Sequence, residues 1–96
     1  MLPIRKPQRW GKMVEKDILD RIKALEENIM LEWLSNGGTL TWAASDALNT
    51  GRNIRRFVSQ GNLKGLKKFL RHNSKAKGIQ KEMLSLARQW VTAQQQ

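Results

Sequence analysis

The stretch GNLKGLKKFLRHNSKAKGIQKEMLSLARQW, Gly61 to Trp90, decides the fold. Leu63, Leu66, Phe69 and Leu70 recur at helical spacing, with Lys64, Lys67, Lys68 and Arg71 on the opposite side. The spacing therefore predicts an amphipathic helix from Leu63 to about His72. Gly61 stops the element before it, and Asn62 has the side chain to cap the new one. Asn73 to Gly78 reads as a polar turn that ends on Gly. The last helix is expected from near Ile79, because Ile79, Met83, Leu86, Ala87, Trp90 and Val91 all fall on one helical face. This hairpin carries eight Lys and Arg against one Glu. It fits either a phosphate backbone as partner or a packed helical pair offering a surface to another protein.

Upstream the apolar spacing is again helical. From Glu15 to Ser35, the positions Ile18, Ile22, Leu25, Ile29 and Trp33 step by three or four, and Leu34 joins them. The acids of this segment fall on its wet face. Asn36, Gly37 and Gly38 end it, since Gly takes the left-handed conformation that closes a helix. Thr39 or Thr41 is the expected cap of a second helix to about Leu48, with Leu40, Ala43, Ala44, Ala47 and Leu48 inward. Asn49, Thr50 and Gly51 read as a break, followed by a short helix from Arg52 to Gln60 that buries Ile54, Phe57 and Val58. Residues 1–12, with Pro3, Pro7 and Gly11, have no period and read as a flexible basic arm in which Trp10 is exposed. Gln94 to Gln96 reads as a frayed tail. The expected architecture is all-α, a compact five-helix bundle over residues 13–93 joined by short turns.

Composition bounds the function. At 96 residues the chain suits one domain, with a core that needs no staples. Cysteine is absent, which excludes disulfides, zinc–thiolate sites and cysteine nucleophiles. No run is apolar enough for a membrane span, and the basic start lacks the apolar segment of a secretory signal. The net charge of +10 is unevenly placed. Residues 1–12 carry four positive charges, residues 13–48 three positive and seven negative, and residues 49–96 eleven positive and one negative. Such asymmetry favours an anionic partner.

The residues for catalysis are not assembled by any motif. His72 is the only histidine and closes a Lys-rich helix, a place that the helix dipole already favours for a cation. The acids cluster on the first helix, and no Gly-rich phosphate loop leads to Lys-Ser or Lys-Thr. A non-enzyme without cofactor or metal is expected. One nucleic-acid outline exists: TWAASDALNTGRNIRRFVSQ, Thr41 to Gln60, has the form of a helix-turn-helix. Its second helix would present Arg52, Asn53, Arg55, Arg56 and Gln60 to base edges in a major groove. Against it, the glycine comes later than such a turn requires, and Ile54 and Phe57 are core residues on either reading.

The order of features in the opening stretch carries a resemblance. GNLKGLKKFLRH followed by IQKEMLSLARQW resembles the C-terminal half of the TFIIS N-terminal domain, or LW domain, a family with members in TFIIS, Elongin A, a Mediator subunit, PNUTS and LEDGF. Gly61, Lys64, Gly65, Leu66, Lys68, Phe69, Arg71 and His72 stand in the places of the family's Gly turn and basic-apolar helix. Ile79, Leu86 and Trp90 match its aliphatic, Leu and Trp spacing. The likeness covers roughly residues 39–92. It departs at Leu63, where the family often has a second Gly, and at Gly51.

The resemblance implies a nuclear, monomeric docking module of the transcription elongation machinery. It implies binding of short disordered acidic, Phe-containing segments of other transcription factors where the loop between the first two helices meets the loop between the last two. In this chain the first loop is Leu34, Ser35, Asn36, Gly37 and Gly38. The second is His72, Asn73, Ser74, Lys75, Ala76 and Lys77, flanked by Phe69 and Ile79. An aromatic anchor would supply most of the affinity by its desolvation, while Arg71, Lys75 and Lys77 steer and orient the acids. Ordering a disordered ligand costs free energy, so micromolar binding that phosphorylation adjusts is the expectation. Trp90 would be a core anchor on the Ile79–Met83 stripe, with Trp33 and Trp42 open between core and surface, and the basic surface a further contact for nucleic acid.

Overall fold

In the computed structural model, backbone is described for residues 6–38 and 41–95, and side chains for residues 15–38 and 41–95. Among these residues the chain forms four helices and no strand: α1 (Lys6–Ser35), α2 (Trp42–Ser59), α3 (Leu63–His72) and α4 (Gly78–Gln94). None of them is long and apolar enough to cross a membrane.

The helix ends follow the local chemistry. α1 closes as a Schellman turn, with the Gly37 and Gly38 N–H groups donating to the Leu34 and Trp33 carbonyls at 3.3 and 2.9 Å and Gly37 at φ +72°. α2 ends the same way: the Gly61 N–H donates to Val58 and the Asn62 N–H to Phe57. Thr41 is the cap of α2, its hydroxyl accepting from the Ala44 N–H at 3.0 Å; the other candidate, Thr39, and Leu40, expected inward, lie outside the described residues. Asn62 caps α3 by accepting from the Gly65 N–H at 2.9 Å. A Cβ on Gly65 would sit 2.6 Å from the Asn62 amide nitrogen, so the small residue at that place leaves room for the cap.

Two features differ from expectation. First, α2 runs without a break through Asn49, Thr50 and Gly51, so the described chain has four helices rather than five. The reason is tertiary. Thr50 is buried, and its hydroxyl donates to the Asp46 carbonyl at 2.8 Å and accepts from Gln80 Nε2 of α4 at 2.9 Å. Gly51 faces α1 so closely that a Cβ there would lie 2.6 Å from Glu26 Oε2. One turn further on, Arg55 grips the same carboxylate with both Nε and Nη2, at 2.8 and 2.9 Å, a bidentate charge-assisted pair. A glycine that reads locally as a helix breaker is thus a notch in a continuous helix, through which the Glu26 side chain passes.

Second, α1 begins at Lys6 instead of Glu15, so residues 6–12 of the expected arm are helical. Pro7 falls in the first turn, where its missing N–H costs nothing. Residues 1–5 and the Trp10 side chain lie outside the described residues, as does Gln96; α4 takes in Gln94, the first residue of the expected tail.

The core follows the predicted stripes. Ile18, Ile22 and Ile29 of α1, Ala47, Ile54 and Val58 of α2, Leu66 and Leu70 of α3, and Met83, Leu86, Ala87, Trp90 and Val91 of α4 are buried. Leu84, outside the predicted α4 stripe, is buried too, because α4 is covered on more than one side. Leu25, Leu48, Phe57, Leu63, Phe69 and Ile79 pack around this core half-buried. Ala43, expected inward, is exposed.

The Gly51 notch makes an energetic prediction. A helical Gly→Ala change ordinarily stabilises by about 0.5–1 kcal/mol. Here Gly51→Ala displaces the Glu26 carboxylate from Arg55 and should instead lower stability by about 1 kcal/mol or more. In a Glu26→Ala background the same change should stabilise, a sign reversal that a double-mutant cycle by denaturant unfolding reads directly.

Candidate docking site

The two turns named by the sequence open in the same direction along the bundle but at different levels. α1 and α2 are antiparallel: Glu26 meets Gly51 and Arg55, and Met30, one turn on, shares a cleft with Leu48. Two further short turns reverse the chain twice, so α4 runs parallel to α2 and begins beside its middle, where Gln80 holds Thr50. The C-terminus of α3 and the N-terminus of α4 therefore point the same way as the α1–α2 turn. They are stepped back from it, since the eight steps from Trp42 to Thr50 span about 12 Å of helix.

Each predicted residue can now be placed. Leu34, Ser35, Asn36 and Gly37 are exposed. Ser35 Oγ donates back to the Leu31 carbonyl at 3.0 Å, and Asn36 and Gly37 serve the closure of α1. Leu34 does not join the inward stripe of α1 but is 64 % exposed. In the second turn, Arg71, His72, Ser74, Lys75 and Lys77 are exposed. Asn73 is a half-buried cap, its Nδ2 donating to the Phe69 carbonyl at 2.8 Å. Phe69 is half-buried against Phe57, with ring centres 5.7 Å apart, and Ile79 is half-buried at the edge of the core. Among the described residues no hydrogen bond or ion pair joins residues 34–38 to residues 69–79.

Two clefts lie elsewhere. One of about 400 Å³ opens between α1 and α4, lined by Arg21, Ala24, Leu25, Glu82, Ser85, Leu86 and Gln89. The other, about 330 Å³, opens between α1 and α2 beside Met30, Leu48 and Arg52. Neither is lined by the residues expected to bind peptide.

Reading the stripes missed the apolar surface around the α1–α2 turn. Leu31 is 62 % exposed and Trp42 88 %, with Met30 also exposed. The signal was present in the spacing: Leu31 stands off the Ile22–Ile29–Trp33 stripe, and Trp42 directly follows the cap, off the Ala47–Ile54 face. Trp33 is half-buried, and its indole covers Gly38.

The residues of the helix-turn-helix outline are differently disposed. The turn that outline requires is helical. Arg55 is held by Glu26. Arg56 donates to Asn53 Oδ1 at 3.0 Å and stands 5.7 Å over the Phe57 ring. Arg52 borders the α1–α2 cleft, and Gln60 is the exposed C-cap of α2. They lie on one continuous helix that crosses α1, not on a helix set off by a turn.

Comparison with known proteins brings no match: no family model, no curated protein and no solved structure matches the chain. The likeness to the TFIIS N-terminal domain rests on the residue pattern alone.

The described tryptophans differ in exposure. Trp90 is 2 % exposed, so Trp90→Ala should cost about 3–5 kcal/mol through loss of a large core side chain. Trp42→Ala should change stability by less than about 0.5 kcal/mol, because little of that indole is removed from water. Chemical denaturation of the two variants separates the structural tryptophan from the available one.

Proposed function

We propose that this chain is a non-catalytic docking module that captures short, disordered, acidic peptides through an aromatic anchor, as the resemblance to transcription elongation domains implies, in the nucleus and as a monomer. The observation that carries the reading is the exposed apolar surface of Leu31, Leu34 and Trp42 around the α1–α2 turn, with the cationic Arg71–Lys77 turn set back from it and facing the same way. An apolar patch with cations in steering range is what such a ligand requires. Burying one Phe side chain of the ligand supplies roughly 1.5–3 kcal/mol, and the flanking Arg71, Lys75 and Lys77 add orientation and speed of encounter. The described backbone supports the role: the end of α1 and the α3–α4 turn are held by backbone and side-chain hydrogen bonds, so little entropy is lost there on the module's side.

Titration of the labelled protein with an acidic peptide containing one Phe should move the amide signals of residues 34–38, 42 and 69–79. Leu34→Ala should weaken binding by about tenfold, equivalent to roughly 1.4 kcal/mol, and replacing the peptide's Phe with Ala should abolish it. Saturable binding that leaves those amides still would overturn the proposal, as would no binding at all.

A further inference from the structure

Apart from Arg71, Lys75 and Lys77, the cations of the α3–α4 hairpin form a surface that the docking of a peptide anchor does not use. Lys64, Lys67, Lys68 and Arg71 recur at three- and four-residue steps, so they share the face of α3 opposite buried Leu66 and Leu70. On α4, Lys81 and Arg88 are exposed and seven residues apart, hence on one stripe. That stripe lies on the other flank from Glu82 and Gln89, which line the cleft with α1. α3 has no acidic residue. Among the described residues α3 touches α2 and α4 but not α1, the helix that holds six of the eight acids of the chain. The ion pairs described, Arg21–Asp17 and Arg55–Glu26, involve none of these hairpin cations.

We propose that the outer face of the α3–α4 hairpin, through Lys64, Lys67, Lys68, Lys81 and Arg88, binds the phosphate backbone of double-stranded nucleic acid. Charge complementarity and the composition of the face select this partner. The α4 row spans seven residues, about 10 Å, and the α3 row four, about 6 Å, and packed helices lie about 8–10 Å apart. A duplex of that length presents about six phosphates, a density that two rows of cations match and a sparsely charged peptide does not. Among the described residues the exposed large apolar side chains, Met30, Leu31, Leu34 and Trp42, are all on α1 or the start of α2, so the hairpin face has no anchor for a peptide or for lipid. Nor has it a stacking platform for unpaired bases: Phe69, the aromatic residue of α3, is turned to Phe57 on the α2 side. What remains is positioning on phosphates without reading of sequence.

The test is the salt dependence of binding to a fluorescent 20-base-pair DNA duplex of arbitrary sequence, followed by anisotropy with the full chain. Lys64→Gln/Lys68→Gln/Arg88→Gln should reduce the log–log salt slope by about three, close to one per neutralised contact, with thermal stability not lowered. Arg52→Gln/Arg56→Gln should leave the slope as it is. Absence of duplex binding, or a slope that falls only in the α2 variant, would overturn the proposal. So would a polyglutamate of equal charge that displaces the duplex as well as unlabelled duplex does, since the face would then be a site for acidic polypeptide.

Discussion

The structure turns on α4. Its buried set, Met83, Leu84, Leu86, Ala87, Trp90 and Val91, is wider than the single stripe of a helix packed on one neighbour. The helix accordingly touches α1, α2 and α3. Desolvation of so broad an apolar surface is the main free-energy source available to a chain of this size, and it dictates where the others go. α1 and α2 flank it and must close on each other, which they do where Glu26 passes the Gly51 notch and meets Arg55. Thr50 and Gln80 then fix the level at which α2 meets α4. α3, short and apolar on one side only, is left as an outer helix.

That outer position has an energetic consequence. The pairs Lys64–Lys67, Lys64–Lys68, Lys67–Arg71 and Lys68–Arg71 are all three or four residues apart on α3, and each like-charge pair of this kind destabilises a helix by about 0.2–0.5 kcal/mol. A ten-residue helix is marginal even without such repulsion. α3 exists because Leu66 and Leu70 are buried, at about 1.5–3 kcal/mol each, and because Asn62 and Asn73 cap its ends. The helix is made by its inner face in spite of its outer one.

Most of this fold was legible in the order of residues where the determining physics is local. The closures at Gly37 and Gly61, the caps Thr41 and Asn62, and the stripes of α3 and α4 depend on neighbours within a turn or two, and each is read from sequence without knowing the partner helix. The continuity of α2 was not legible, because Gly51 is placed by Glu26, a residue of another helix, and the local cost of a helical glycine reads as a stop. Leu84 was missed for a related reason: a single-stripe reading presumes one neighbour. Of the expected site, only the common direction of the two bends was legible, since antiparallel connections dictate it; their offset along the bundle, with α4 starting beside the middle of α2, was not. Which side chains around the α1–α2 turn remain in water was not legible either, because exposure of Leu34 and Trp42 depends on how far α1 and α2 project past the start of α4.

The same geometry separates two kinds of surface. Apolar exposure is concentrated where α1 and α2 overrun the rest of the bundle, around Leu31, Leu34 and Trp42; cations are concentrated on the hairpin whose outer helix does not reach α1. A mixed patch would hold its charges beside apolar surface and favour any amphipathic ligand. Kept apart, the two surfaces would, on the proposed readings, select by different physics, one by desolvation of an inserted side chain and the other by counterion release along a polyanion. The second is weakened by salt and the first is not. Arg71 and the Lys75–Lys77 turn lie between them, at the joint of α3 and α4, so the charge that steers an acidic peptide toward the apolar end belongs to the same cationic field that a duplex would neutralise. Occupancy of the hairpin by a polyanion would therefore reduce the electrostatic attraction felt by an acidic ligand at the turn, coupling the two surfaces through their shared potential without any change of shape.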